Sequence, residues 1–207
     1  LMHPWVEWGK SYFHRRGRVQ ALREAGYHVL AVDLGGFGDS RRIPGFLDRD
    51  VEAALAALRS RAGGLPLHLW GVSSGAYWSH FLLARIADVS GGVFEDVSPH
   101  LLQWSWRMAP LGRPFYLFFE NVLRSSYRYL DLRRQAPFLN LDAVSYVSGG
   151  ADRGVPPDET RELAGAAGGR VLIVPGAGHL ESIKVANAEV IALALDTFRR
   201  AEEARSR

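Results

Sequence analysis

The stretch LHLWGVSSGAYWS, residues 67–79, carries a Gly-x-Ser-x-Gly motif with Ser73 at its centre. The apolar run before the motif is typical of a buried strand, and the residues after it repeat apolar positions at helical spacing. Two structures fit such a strand-to-helix junction. One is a tight turn that only requires small residues, and the other is a sharp corner that holds the serine out as a nucleophile.

The rest of the chain alternates between short apolar runs and helical patterns. Two helices are predicted to end at Gly26 and near Gly63, and a third is predicted over residues 189–204. Strands separated by helices are typical of a parallel sheet covered on both faces, so we predict an α/β fold in one domain, 1–207. The predicted strands are HVLAVDL (28–34), LHLW (67–70), GVFEDV (92–97), AVSYV (143–147) and VLIV (171–174).

Composition excludes several classes of protein. The chain has 207 residues and no cysteine, so disulfides, thiolate chemistry and Cys-ligated metal sites are excluded. Its 25 Lys and Arg are interleaved with 22 Asp and Glu, which does not favour nucleic-acid binding. No apolar run reaches the roughly 20 residues that cross a bilayer, so we expect a soluble, cytoplasmic protein without membrane insertion. Because the sequence begins at Leu1, an upstream signal stays open.

Residues 99–140 break the alternation because they contain no strand candidate and many aromatic residues. We interpret this segment as a small helical cap inserted between two strand units. Its aromatic side chains could line an apolar substrate pocket or pack on the core, and its six arginines against two acids suggest a positive pocket mouth. The candidate pocket residues are His100, Trp104, Trp106, Phe115 and Phe119.

A nucleophilic serine needs a base to take its proton and a third group to orient that base. His179 follows the strand VLIV, and Asp152 follows the strand AVSYV one unit earlier. Loops at the carboxyl ends of parallel strands lie at the same edge of a sheet, so both side chains can reach Ser73. Asp96, at the end of GVFEDV, is a second candidate for the acid.

These motifs, in the order Ser73, Asp152, His179, resemble those of α/β-hydrolases. GYHVLAVDLGGFGDS (26–40) is similar to that family's fourth strand and the turn after it. The resemblance implies hydrolysis of a small-molecule carboxylic ester through an acyl-enzyme, without a metal or an organic cofactor. Thioester or peptide hydrolysis by the same residues, and a binding protein on a hydrolase scaffold, remain alternatives.

An oxyanion hole requires two backbone donors. The N–H of Ser74, directly after the nucleophile, is one candidate. Where the family usually has His-Gly-x after its third strand, this chain has His3-Pro4-Trp5. Proline has no N–H, so the second expected donor is Trp5.

The resemblance also implies that only Leu1-Met2 remain of the family's third strand, which lies between the strand of Asp33 and the strand that ends at the elbow. Without that strand, central backbone groups would be unpaired. We therefore expect the native polypeptide to begin upstream of Leu1. The alternatives are direct pairing of the two flanking strands, or a second chain in the gap.

Overall fold

A parallel sheet lies at the centre of the computed structural model, which describes the chain except residues 6–8, 42–47, 87, 101–102, 105–106, 108–113, 115–116, 119–120 and 122–127. In the described part of the chain the sheet has four strands in sequence order. In register, Val72 pairs with Glu95, and Glu95 pairs with Val147. The carboxyl ends therefore meet at one edge. The strands are β1 (His68–Val72), β2 (Gly91–Glu95), β3 (Ala143–Gly149) and β4 (Arg170–Val174).

Helices cover both faces of this sheet. The described helices are α1 (Ser11–His14), α2 (Arg18–Glu24), α3 (Asp48–Ala62), α4 (Ser74–Leu83), α5 (Pro157–Ala166), α6 (Ser182–Val185) and α7 (Asn187–Arg205). One apolar cluster joins α3, α4 and α5 to strand residues such as Leu69 and Phe94. The other joins α1, α2, α6 and α7 to Trp70 and Val93. Neighbouring residues of one strand thus enter opposite clusters, as the two-residue repeat of a strand requires.

Leu1 and Met2 lie where the sequence placed them, between the segment before Asp33 and β1. Met2 forms parallel bridges to both Val32 and Gly71. Its N–H donates to the Trp70 carbonyl at 2.9 Å, and its own carbonyl accepts from the Val72 N–H at 3.0 Å. The two flanking segments are therefore separated by Met2 at this level of the sheet.

The predicted strand at residues 28–34 is reduced to a single bridge at Val32. Residues 28–33 are exposed or half-buried, and Leu34 is buried. The composition of a strand does not by itself supply the backbone partner that a ladder needs along its length.

Between β2 and β3, the described residues are helical or irregular and contain no strand. Short 3₁₀ helices at Leu132–Arg134 and Ala136–Phe138 close the segment before β3. Tyr77 on α4 donates its hydroxyl to the Leu130 carbonyl at 2.5 Å, which joins this segment to the elbow helix.

None of the described helices is both long and apolar enough to span a bilayer.

A buried ion pair joins α2 to the end of β2. The Arg18 guanidinium donates two hydrogen bonds to Glu95, at 2.7 and 3.1 Å, and both side chains are fully buried. The guanidinium also lies over the Trp70 ring, 4.8 Å from its centroid. Removing one partner of such a pair leaves the other charge buried and uncompensated.

We expect Arg18→Met to lower the free energy of unfolding by about 3 kcal/mol or more, measured by urea denaturation. Adding Glu95→Gln to this variant should recover part of the loss, because the uncompensated carboxylate is then removed. Arg161→Ala, which breaks an exposed pair with Asp158, is the control and should change stability by less than about 1 kcal/mol. A loss for Arg18→Met as small as that of the control would contradict a structural role for the pair.

Candidate active site

The turn from β1 into α4 holds Ser73 in a strained conformation, with φ 49° and ψ −114°. The two glycines of the motif are required by contact. A Cβ on Gly71 would lie 2.6 Å from the Ala76 Cα, and a Cβ on Gly75 would collide with the Met2 carbonyl oxygen. The sharp corner can therefore form only with small residues on either side of the serine. This favours the second reading of the motif, a serine projected above the strand ends.

His179 lies in hydrogen-bonding distance of both Ser73 and Asp152, through different ring nitrogens. Ser73 Oγ is 3.1 Å from His179 Nε2, and His179 Nδ1 is 2.7 Å from Asp152 Oδ2. The other oxygen of Asp152 accepts from the N–H groups of Gly154 and Val155 at 2.8 and 2.9 Å. This carboxylate favours a proton on Nδ1, which leaves Nε2 free to accept the serine proton.

Asp96, the other candidate acid, forms its described hydrogen bonds with backbone N–H groups and not with the imidazole. Its Oδ1 accepts from the Gly149 N–H at 3.3 Å and its Oδ2 from the Leu180 N–H at 2.9 Å. Asp152 is therefore the carboxylate that bonds the His179 ring, and Asp96 bonds the backbone of the two loops that carry this pair.

Opposing effects act on the pKa of His179. Burial lowers the pKa, while the hydrogen bond to Asp152 and the charges of Asp96, Asp152 and Glu95 raise it, and the net direction is upward from 6.5. A base with a raised pKa holds the serine proton more firmly when it forms the imidazolium.

Glu95 and Arg18 support the histidine loop from below, and the sequence analysis missed both. Ser182, three residues after His179, donates its hydroxyl to Glu95 Oε1. Arg18 Nε donates to Asn187 Oδ1 at 2.9 Å, at the start of α7. The acidic pair at the end of GVFEDV was the available signal, because two adjacent carboxylates at a buried strand end require partners.

The two predicted oxyanion donors lie on well-anchored backbone. Ser74 is buried and is the first residue of α4, where N–H groups lack partners within the helix. His3 is also buried. Its Nε2 accepts from the Leu34 N–H at 2.9 Å, and its Nδ1–H therefore donates to the Pro4 carbonyl at 2.6 Å. These bonds fix the backbone that leads into Trp5. The Trp5 side chain itself is 66% exposed.

Of the predicted pocket residues, Trp104 and His100 can be placed. The centroid of the Trp104 ring lies 5.8 Å from that of the His179 ring, so Trp104 lies beside the candidate base. His100 is fully buried, and its carbonyl accepts from the N–H groups of Gln103 and Trp104, which makes it the start of a helical turn. Trp106, Phe115 and Phe119 lie outside the described residues.

Two of the arginines within residues 99–140 that can be placed have carboxylate partners. Arg107 donates to both oxygens of Glu159, at 2.8 and 2.5 Å, and to the Gly154 carbonyl at 3.2 Å. Arg133 pairs with Asp131 at 2.9 Å. The positive charge counted from the sequence is therefore neutralised at these two positions, and Arg107 instead ties its segment to the loop of Asp152.

A cavity of about 750 Å³ lies at the opposite end of the sheet from Ser73. It is lined by Leu67 and His68 at the amino end of β1, and by Tyr27 and Phe198. Ser73 follows the carboxyl end of β1, so the candidate nucleophile does not line this cavity. Among the described residues, no cluster of three or more His, Asp or Glu side chains is arranged to hold a metal ion.

Comparison with known proteins decides the family. The family model described as "alpha/beta hydrolase fold" matches residues 3–114, more than half of the chain. The chain belongs to the alpha/beta hydrolase family.

Curated members of this hydrolase superfamily match over part of their length. Human protein ABHD12B is 41% identical over 164 residues, which cover 72% of this chain and 44% of that protein. Lysophosphatidylserine lipase ABHD12 of Danio rerio is 32% identical over 77 residues, 36% of this chain and 20% of that protein. The chain thus spans less than half the length of these relatives.

Solved structures show the same hydrolase fold. The Pyrococcus furiosus esterase Pf2001 superposes with a TM-score of 0.76 at 16% identity, covering 96% of this chain and 79% of the esterase. A putative non-heme bromoperoxidase BpoC from Mycobacterium tuberculosis gives a TM-score of 0.72 at 21% identity, with 97% and 91% covered. The predicted fold class is confirmed by these matches.

The steric limits at the elbow predict that Gly75→Ala abolishes the active conformation. The added Cβ would collide with backbone that cannot move aside, so we expect a loss of stability of about 1–3 kcal/mol and at least a tenfold loss of hydrolytic activity. Gly165→Ala is the matched control, because a Cβ there meets no atom within 4 Å. Gly165 lies in α5, so this variant should be slightly more stable and fully active. Equal activity of the two variants would contradict the elbow geometry.

Proposed function

We propose that this alpha/beta hydrolase cleaves carboxylic esters through a Ser73–His179–Asp152 triad and an acyl-enzyme intermediate. The observation that carries the proposal is the pair of hydrogen bonds through His179, 3.1 Å to Ser73 and 2.7 Å to Asp152, beneath a strained elbow. A turn with a purely structural role would not need a histidine beside the serine hydroxyl, nor a carboxylate that fixes the tautomer of that histidine.

In the proposed reaction His179 Nε2 takes the proton of Ser73 as Oγ attacks the ester carbonyl. Asp152 holds the imidazole and stabilises the imidazolium that forms. The N–H groups of Ser74 and Trp5 donate to the oxyanion of the tetrahedral intermediate. His179 then protonates the leaving alcohol, and a water molecule activated by the same imidazole hydrolyses the acyl-enzyme.

We propose an ester with an apolar acyl or aromatic group as substrate, bound beneath a cap formed by residues 99–140 of the single domain. Trp104 beside His179 supplies an apolar wall at the reacting atoms. The Danio rerio relative is named as a lipase, an enzyme that hydrolyses ester bonds, which supports this class over thioesters and amides. Parallel assays of matched ester, thioester and amide substrates test the choice.

Labelling with a fluorophosphonate probe tests the nucleophile without a guess about substrate. We expect one adduct on Ser73, located by mass spectrometry of peptides, and its loss in Ser73→Ala and His179→Ala. Ser79→Ala is the matched control and should label normally, because Ser79 is a buried serine on α4 whose hydroxyl has no hydrogen-bond partner among the described residues. Absence of labelling in the folded wild-type protein would favour a binding protein on a hydrolase scaffold.

The pH dependence follows from the direction of the His179 pKa. The reaction requires the neutral imidazole, and the pKa of His179 is raised above 6.5. We therefore expect kcat/KM to be low in acid, to rise through a pKa above 6.5, and to level off in base. A flat profile between pH 5 and 8 would contradict His179 as the base.

Asp152→Asn should lower kcat by about 10⁴-fold, because the imidazole loses its orienting carboxylate.

A further inference from the structure

Asp96 occupies a buried position between the two loops that carry the proposed acid and base. It is fully buried at the end of β2, and its carboxylate accepts one N–H from each loop, Gly149 and Leu180. Gly149 precedes the Asp152 turn, and Leu180 directly follows His179. One side chain therefore joins the backbones of both catalytic loops.

The backbone is strained at Asp96 itself and at Leu180, one of the two residues that it bonds. Among the described non-glycine residues, three have positive φ: Ser73 at 49°, Asp96 at 50° and Leu180 at 61°. Each such conformation costs about 1–3 kcal/mol and persists only where the surroundings hold it. The bond from the Leu180 N–H to Asp96 is a contact that can hold the residue after His179 in this conformation.

The charge of Asp96 is not matched by a neighbouring permanent cation in the described contacts. Arg18 on α2 directs both of its terminal nitrogens to Glu95. The pKa of Asp96 is raised to about 7 as the net result of burial and the charges of Glu95 and Asp152, which raise it, and of His179 and the Leu180 N–H, which lower it. The charged or titratable groups facing this site are Glu95 on β2, Arg18 on α2, Tyr12 on α1, and Asp152 and His179 on the two loops.

We propose that Asp96 is a positioning residue for the proposed hydrolysis, which fixes the Asp152 and His179 loops together and adds a second negative charge near the imidazole. As His179 takes the proton of Ser73, the imidazolium is stabilised by Asp96 as well as by Asp152. The inference rests on the proposed function, because it concerns the same acid and base.

The chemistry of the two contacts requires a carboxylate. Both partners of Asp96 are N–H donors, and each oxygen accepts from one of them. Asparagine offers one acceptor oxygen and one NH₂ group, so it would set a donor against a donor at one loop. Asp96→Asn therefore removes both the charge and one of the two bonds.

The test is the pH profile of kcat/KM for an ester substrate, measured for wild type and Asp96→Asn. We expect the acid limb of the variant to move to lower pH by about half a pH unit or more, since the imidazolium has lost a nearby negative charge. We also expect kcat on the alkaline plateau to fall by about tenfold. Asp131→Asn is the matched control, because that buried carboxylate also accepts a backbone N–H, and its hydrogen bonds among the described residues are with Arg133.

An unchanged acid limb in Asp96→Asn would overturn the inference, even if activity fell at every pH, because a purely structural role lowers activity without moving the limb. If Asp96→Asn does not fold, Asp96→Ser carries the same test, since it lacks the charge and leaves room for a water molecule to accept both N–H groups. If wild type and Asp131→Asn are both inactive and unlabelled by fluorophosphonate, the proposed function has failed rather than the role of Asp96.

Discussion

The reversal of the chain at Ser73 is the constraint on which the site depends. At φ 49° the serine leaves β1 and enters α4 within one residue, with its hydroxyl directed at the edge where the strands end. This turn is possible because Gly75 lies directly against the backbone of Met2, where any Cβ would collide. Met2 is itself held between Val32 and Gly71. The nucleophile candidate is therefore positioned by the sheet and not by the loop alone.

Parallel pairing determines which loops can reach this serine. Since β1, β2, β3 and β4 pair in sequence order, the residues that follow each strand come together at one edge. Ser73, Asp96, Asp152 and His179 all follow strand ends in this way. The strain recorded at Ser73, Asp96 and Leu180 collects at the same edge. The stability of the sheet and its helices offsets that strain, which is the usual relation between a scaffold and a reactive site.

Much of this arrangement could be predicted from the sequence. The short β-branched runs located β1 to β4 within a few residues, and the order of the serine, acid and histidine motifs identified the family. The choice between Asp152 and Asp96 could not be made from sequence, because both follow strand ends and only the direction of each carboxylate separates them. The adjacent carboxylates Glu95 and Asp96 signalled that a partner was needed, but Arg18 could not be identified as that partner, since it lies 77 residues away and carries no motif. The segment 28–34 has the composition of a strand, but pairing depends on a neighbour and not on composition.

The most direct test is to trap the acyl-enzyme. The protein would be mixed with an activated aryl ester, quenched in acid within the first turnovers, and digested for peptide mass spectrometry. The account predicts a burst of alcohol release matched by an acyl group on the peptide that contains Ser73, with no burst and no acyl group in Ser73→Ala. Ester hydrolysis that proceeds without acylation of Ser73, or acylation at another residue, would contradict it.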